Sequence, residues 1–294
     1  MKRNIIVFIF ILGACQACQN AADRPDSSLM RILRQEAEQG NAGSQFGLGY
    51  EYFGRKNYTE AMKWYRISAG NGYKIAFRNI ASMYKDGRGV EKDDIEATRW
   101  YLKALENGEF SFSWFETPRG KAAAAVVVAE YRNAAEQGDA NAQLKFGRLY
   151  VNGWGVAENY PEAIAWYRKA AEQGNAEGQF RVATILIGST LYGGPKIQNR
   201  NADYAEALEW FYKAAAQGHA QAQAYIGLIY HWGIHAIKDD IEAAAWYYLA
   251  RNNGAADVSW FNVLDGMLNT SGRQQAQQRA KELAAKIAAG EPLK

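Results

Sequence analysis

A glycine returns at positions 40, 72, 108, 138, 174, 218, 254 and 290, each time closing a helical phrase of one type. The phrases read WYRISAGNG at 64–72, WYLKALENG at 100–108, EYRNAAEQG at 130–138, WYRKAAEQG at 166–174, WFYKAAAQG at 210–218 and WYYLARNNG at 246–254. Successive glycines lie 32, 36, 30, 36, 44, 36 and 36 residues apart. A period of this size restricts the chain to stacked helical repeats that bury a face on their neighbours. Length therefore sets the number of repeats rather than the number of globular domains.

The repeat at 139–174, DANAQLKFGRLYVNGWGVAENYPEAIAWYRKAAEQG, shows how one repeat is built. A first helix is expected over about 140–151. Gly153-Trp154-Gly155 breaks it, because glycine takes the positive φ of a tight turn at no steric cost. A second helix starts near Asn159, whose side chain can accept a hydrogen bond from free N–H groups of the first turn. Pro161 suits that first turn, where its missing N–H costs nothing. Asn57, Asp93, Asp203 and Asp239 are the equivalent caps. A glutamate follows three residues later at Glu60, Glu96, Glu162, Glu206 and Glu242, the capping-box spacing.

The second helices carry one apolar stripe. Three residues before each Trp stands Ala61, Ala97, Ala163, Ala207 or Ala243, and four after it Ser68, Ala104, Ala170, Ala214 or Ala250. Residues so spaced share a helix face, and the Trp ring is expected to fill the gap between them. The next residue is always aromatic: Tyr65, Tyr101, Tyr131, Tyr167, Phe211 or Tyr247. Such a ladder reads as core between repeats rather than as a ligand stack. Nine residues after a boundary glycine the first helix places Gly49, Ala81, Gly147, Ala183 or Gly227. A helical glycine costs about 1 kcal/mol against alanine, so close approach of the two helices is its expected reason.

The small-residue-x-x-Tyr, Gly-x-Gly-Val and WY(R/K)KAAEQG elements resemble those of the Sel-one-like repeats, relatives of the tetratricopeptide repeats. The resemblance spans about 29–290. It implies an all-α fold, a superhelical solenoid of antiparallel helix pairs. It also implies a protein-binding scaffold without chemistry of its own, with 255–294 as the C-terminal capping unit.

Departures from the repeat point to where a partner binds. EFSFSWFETPRG stands where the repeat at 109–138 should have its first helix. Pro118 and Gly120 suggest a kink, and Ala123 replaces the acidic cap. Phe110, Phe112, Trp114 and Phe115 crowd beside it, either as a hydrophobic partner site or as the core of a shortened repeat. The repeat at 175–218 has eight residues more than 36, assigned to a loop at 189–200. Tyr192 and Lys196 are its candidate contacts, since repeat insertions map to loops. GRQQAQQRAKELAAKIAAG at 272–290 has no Trp and a polar face, as a capping unit requires.

The N-terminus is of another kind. Lys2-Arg3 precedes the apolar run IIVFIFIL at 5–12, which is too short to span a bilayer and fits an export signal. Leu12-Gly13-Ala14-Cys15 resembles a bacterial lipobox. That resemblance implies cleavage after residue 14, acylation of Cys15 (several acyl chains anchor firmly where one is marginal) and, with Gln16 following, delivery to the outer membrane. Residues 15–28 read as a flexible tether. Cys15 and Cys18 are the only cysteines, and their position at the end of an export segment argues against a redox pair.

Net charge is +3, and without residues 1–14 it falls to 32 basic against 31 acidic residues. No basic stripe suggests nucleic acid. Ser82-Met83-Tyr84-Lys85 matches a Ser-x-x-Lys element, but its Ser-Asp-Asn and Lys-Thr-Gly partners are missing. His231 and His235 flank Gly233, so they do not share a helix face, and no third metal ligand is placed beside them. The expectation is no enzyme, cofactor or small-molecule substrate. The expected role is a lipid-anchored scaffold of the bacterial envelope that binds another protein through its groove. Immunity against a periplasm-delivered toxin, such as a phospholipase effector, and envelope assembly or signalling are alternative roles for the same scaffold.

Overall fold

The computed structural model describes residues 28–108, 113–191, 200–234, 237–255 and 259–293. Among these the fold is all-α. The chain divides into two compact units, residues 1–127 and 128–294. The N-terminal unit holds α1 (Ser28–Glu38), α2 (Ala42–Gly54), α3 (Tyr58–Gly70), α4 (Lys74–Asp86), α5 (Asp94–Glu106) and the start of α6 (Pro118–Glu136). The C-terminal unit continues with α7 (Ala140–Asn152), α8 (Tyr160–Glu172), α9 (Ala176–Leu191), α10 (Arg200–Ala216), α11 (Ala220–Trp232), α12 (Asp240–Asn252), α13 (Ser259–Met267) and α14 (Thr270–Ala289). Within each unit a helix packs chiefly on those before and after it, the nearest-neighbour pattern of an α/α solenoid. At the C-terminus α14 also returns onto α12.

The repeated glycines end the second helices. Gly72, Gly108, Gly138, Gly174, Gly218 and Gly254 all have φ between 79° and 95°. The following N–H then reaches back to a carbonyl of the last turn, as Tyr73 does to Ser68 and Asn175 to Ala170. Asn57, Asp93, Asn159 and Asp239 cap the second helices through their side chains. Asp203 does not. Helix α10 already begins at Arg200, because no Gly or Pro stands at 199–203 to stop it extending upstream.

The core stripe is centred one residue later than the tryptophans. Tyr65, Tyr101, Tyr167, Phe211 and Tyr247 are buried between the small residues, and Tyr131 is half-buried. Each fully buried ring is worth roughly 2–3 kcal/mol of transfer free energy. Of the tryptophans that open the repeated phrases, Trp166 and Trp246 are buried, whereas Trp64, Trp100 and Trp210 are half-buried. Glutamates one helical turn before the indoles hold them. The Nε1 groups of Trp100, Trp210 and Trp246 donate to Glu96, Glu206 and Glu242 at 2.9, 3.0 and 3.0 Å. Lys103, Lys169 and Lys213 lie over the rings of Trp100, Trp166 and Trp210, 4.2, 3.8 and 4.0 Å from their centres.

Two departures fold differently from expectation. Pro118 opens α6 instead of kinking a helix. Thr117 caps that start, accepting from Gly120 N–H at 3.0 Å, and Ala123 lies inside the helix. A 3-10 turn, Ser113–Glu116, stands in place of the missing first helix. Gly120 is obligatory there, since a Cβ would lie 1.8 Å from the Trp114 carbonyl oxygen. The long repeat spends part of its insertion on helix: α9 runs to Leu191 and α10 starts at Arg200, so the loop is shorter than 189–200.

Candidate functional site

A polar clamp positions the first helices. Five residues after a boundary glycine stands a buried glutamine: Gln45, Gln143, Gln179 or Gln223. Their Nε2 groups donate to the carbonyls of Ala37, Ala135, Ala171 and Ala215 at the end of the preceding helix, at 3.0–3.2 Å. Their Oε1 atoms accept from Asn71, Gln173, Gln217 and Asn253, one residue before the next boundary glycine, at 2.8–2.9 Å. Each amide thus joins three helices and satisfies carbonyls that a helix end leaves open. Sequence reasoning missed this clamp, although its glycine-plus-five spacing is visible. Phe77 takes the glutamine's place in α4 and meets Trp100 at 6.0 Å between ring centres.

In the C-terminal unit the clamp lines up α7, α9 and α11, and their side chains converge on one carboxylate. Glu177 in α9 meets Arg181 Nε at 2.6 Å, His219 Nε2 at 3.0 Å and Arg148 Nη2 at 3.9 Å. His219 caps α11, its Nδ1 accepting from Ala222 N–H at 3.2 Å. The ring stacks on Phe180 at 4.7 Å. With Nδ1 accepting, the neutral imidazole carries its proton on Nε2 and donates it to Glu177. Burial alone would push the Glu177 carboxyl up. The His219 hydrogen bond and the Arg181 charge outweigh it and hold the group at about 2. Between α6 and α7, Lys145 lies over Tyr131 at 5.3 Å and Arg132 over Phe146 at 5.6 Å.

Of the candidate contacts read from the sequence, Trp114 is 6% exposed. It donates to Thr98 Oγ1 at 2.9 Å and packs with Ala81, Ala97, Tyr101 and Ala123, with Phe115 partly buried against the same group. These two aromatics are the core of a shortened repeat, because a 3-10 turn too small to bury a helix face inserts its rings instead. Phe110, Phe112, Tyr192, Lys196 and Cys15 lie outside the described residues. Within the Ser82 element, Lys85 pairs with Asp86 at 3.7 Å, and the Tyr84 hydroxyl accepts from Arg66. His219 and His231 stand at opposite ends of α11, and His231 Nδ1 meets Asp240 at 2.8 Å. Among the described residues no three His, Cys, Asp or Glu side chains gather as a metal site.

Comparison with known proteins follows the same periodicity. The family model described as Sel1 repeat matches residues 42–73, 76–109, 140–175, 176–219 and 220–254, more than half of the chain. The ERAD-associated E3 ubiquitin-protein ligase component HRD3 of Candida glabrata is 40% identical over 72 residues, which are 24% of this chain and 9% of that relative. The chain therefore spans under a tenth of that protein's length. A Sel1 repeat protein from Oxalobacter formigenes is 26% identical, with 89% of this chain and 93% of that one covered, at a TM-score of 0.42. The immunity protein PA5088 from Pseudomonas aeruginosa is 18% identical, with 96% and 95% covered, at a TM-score of 0.32.

Proposed function

Because the chain belongs to the Sel1 repeat family, we propose that it is a non-catalytic scaffold that binds another protein through its helix surfaces. One observation carries this reading. The side chains that recur at the repeat spacing are consumed by packing, capping and the glutamine clamp, so the residues that vary between repeats are left for recognition. Photo-cross-linkers placed on the exposed faces of α7 and α9 in living cells test it. One reproducible protein adduct is the expected result, and adducts no more specific than those of an unrelated solenoid would overturn it. An adduct with a toxin delivered to the periplasm would specify immunity. An adduct with a polysaccharide-export or regulatory component would specify assembly or signalling.

The scaffold is held at a membrane, in this proposal, by lipid on Cys15. Support comes from Lys2-Arg3, the short apolar run at 5–12 and the Leu-Gly-Ala-Cys tetrad. Among the described residues no helix is long and apolar enough to cross a membrane. Wild-type protein should take up an alkynyl palmitate label and float with outer membranes, whereas Cys15→Ser should do neither. A labelled, floating Cys15→Ser protein would refute the anchor.

A further inference from the structure

Asparagine–glycine pairs stand at 71–72, 107–108, 152–153 and 253–254. Such a pair is prone to a reaction that needs no enzyme and no oxidant. The glycine backbone nitrogen attacks the asparagine Cγ and gives up its proton, the side-chain nitrogen leaves as ammonia, and water opens the resulting ring to aspartate or isoaspartate. Three of these pairs end second helices with nearly the same geometry. Asn71, Asn107 and Asn253 have ψ of 16°, 12° and 9°, and their glycines have φ of 83°, 94° and 86°. The glycine N–H groups donate to the carbonyls of Ala69, Leu105 and Arg251 at 3.0, 3.1 and 3.1 Å. The attacking nitrogen is therefore engaged at each site until the helix end frays. The fourth pair ends the first helix α7, where Asn152 is still helical, so it falls outside the matched three.

What differs among the three is the hold on the side-chain amide. Asn71 donates to Gln45 of α2 at 2.8 Å, and Asn253 donates to Gln223 of α11 at 2.9 Å. Asn107 donates to the Lys103 carbonyl of its own helix at 2.8 Å, since Phe77 stands where the clamp glutamine would be. Fraying the end of α3 or α12 therefore breaks a bond to another helix, whereas the bond lost when α5 frays is local. We propose that Asn107 is a spontaneous modification site of the folded chain, deamidating to aspartate and isoaspartate, while the glutamine clamp shields Asn71 and Asn253 from the same reaction. The products differ in consequence as well. An aspartate at 71 or 253 sets a carboxylate against the glutamine Oε1, acceptor against acceptor, and opens the clamp. An aspartate at 107 adds negative charge at the C-terminal end of α5, which the helix dipole disfavours, but it breaks no bond between helices. Ageing at this position loosens one helix end and leaves the clamps in place.

The test incubates the purified full chain in mildly alkaline buffer and follows each asparagine peptide by mass spectrometry. Isoaspartate is scored independently by methyl transfer from labelled S-adenosylmethionine with an isoaspartyl methyltransferase. In the folded wild type Asn107 is expected to convert several-fold faster than Asn71 or Asn253. In urea, where clamps and helix ends are both lost, the three rates are expected to converge. Gln223→Leu is expected to quicken Asn253 toward the rate of Asn107 and to leave Asn71 unchanged, since Asn71 lies in the other unit and keeps Gln45. Gln45→Leu is expected to do the reverse. Circular dichroism melting confirms that each variant is folded during the incubation. Conversion of Asn71 or Asn253 as fast as Asn107 in the folded wild type would overturn the proposal, and that measurement needs no variant. The same order persisting in urea would trace it to neighbouring sequence and overturn it too. So would a Gln223→Leu chain that leaves Asn253 unchanged, or one in which all three sites quicken alike, because protection would then not come from the clamp.

Discussion

At Gly147 an added Cβ would lie 2.8 Å from the Tyr167 ring and 3.2 Å from the Ala163 carbonyl oxygen. At Gly49 the corresponding distance to the Tyr65 ring is 2.6 Å. Neither ring can retreat, because both tyrosines are buried. Gly147→Ala should therefore destabilise by about 1–3 kcal/mol despite alanine's better helix propensity, as denaturant unfolding would measure. Glu177 predicts a pH effect. Its folded pKa of about 2 lies below the roughly 4.3 of an unfolded glutamate, so the stability it supplies is complete above the unfolded value and is lost as pH falls toward 2. The groups facing it are Arg148 from α7, Arg181 on its own helix, His219 at the start of α11 and the Tyr167 hydroxyl of α8. Unfolding midpoints taken stepwise through that window should fall more steeply for wild type than for Glu177→Gln. The small-residue positions and the caps at Asn57, Asp93, Asn159 and Asp239 were legible as spacing. The cluster around Glu177 was not, because Arg148 and His219 lie 29 and 42 residues from it in the chain and meet it only once the repeats stack.

At the scale of the helix, the glutamine clamp explains why the repeats share one register. Gln179→Leu would leave the Ala171 carbonyl and the Gln217 amide without this partner inside the stack. An unsatisfied buried polar group costs about 1–3 kcal/mol, so the variant should lose that much stability, and amide hydrogen exchange should quicken at the ends of α8 and α10. The second helices show how a motif was read correctly in place and differently in role. Glu96 and Glu242 stand third in their helices, as a capping box requires, and Glu206 stands seventh in α10, yet all three carboxylates hold indoles, those of Trp100, Trp246 and Trp210. A glutamate at the third helical position can serve a backbone N–H or a side chain one turn on, and sequence spacing alone does not distinguish them. The latch between successive repeats also varies. Arg34 and Arg66 donate to the hydroxyls of Tyr52 and Tyr84, eighteen residues on. Leu186 offers no hydroxyl at that position, and Arg168 instead grips both oxygens of Glu206, at 2.7 and 2.8 Å, with its Nε left buried and unpartnered.

For the molecule as a whole, nearest-neighbour packing within each unit makes stability a sum over adjoining helices. Helix α14 covers α12, whose Trp246, Tyr247 and Ala250 are buried, and presents Ala276, Ala280 and Leu283 inward with polar residues elsewhere. Deleting residues after 268 should therefore expose that core, lower the melting temperature and promote self-association, as light scattering would detect. The stacked helical fold was legible from the glycine period, since a repeat specifies its neighbours as well as itself. One last feature separates length from register. Clamp partners are 30 residues apart in Gln143–Gln173 and Gln223–Asn253 but 38 apart in Gln179–Gln217, and the bonds measure 2.8, 2.9 and 2.9 Å. The eight extra residues between Gln179 and Gln217 leave that bond at the same length, so chain can be added between clamp partners without loss of register. A foreign epitope or reporter spliced there could lengthen the chain while each repeat kept its place in the stack.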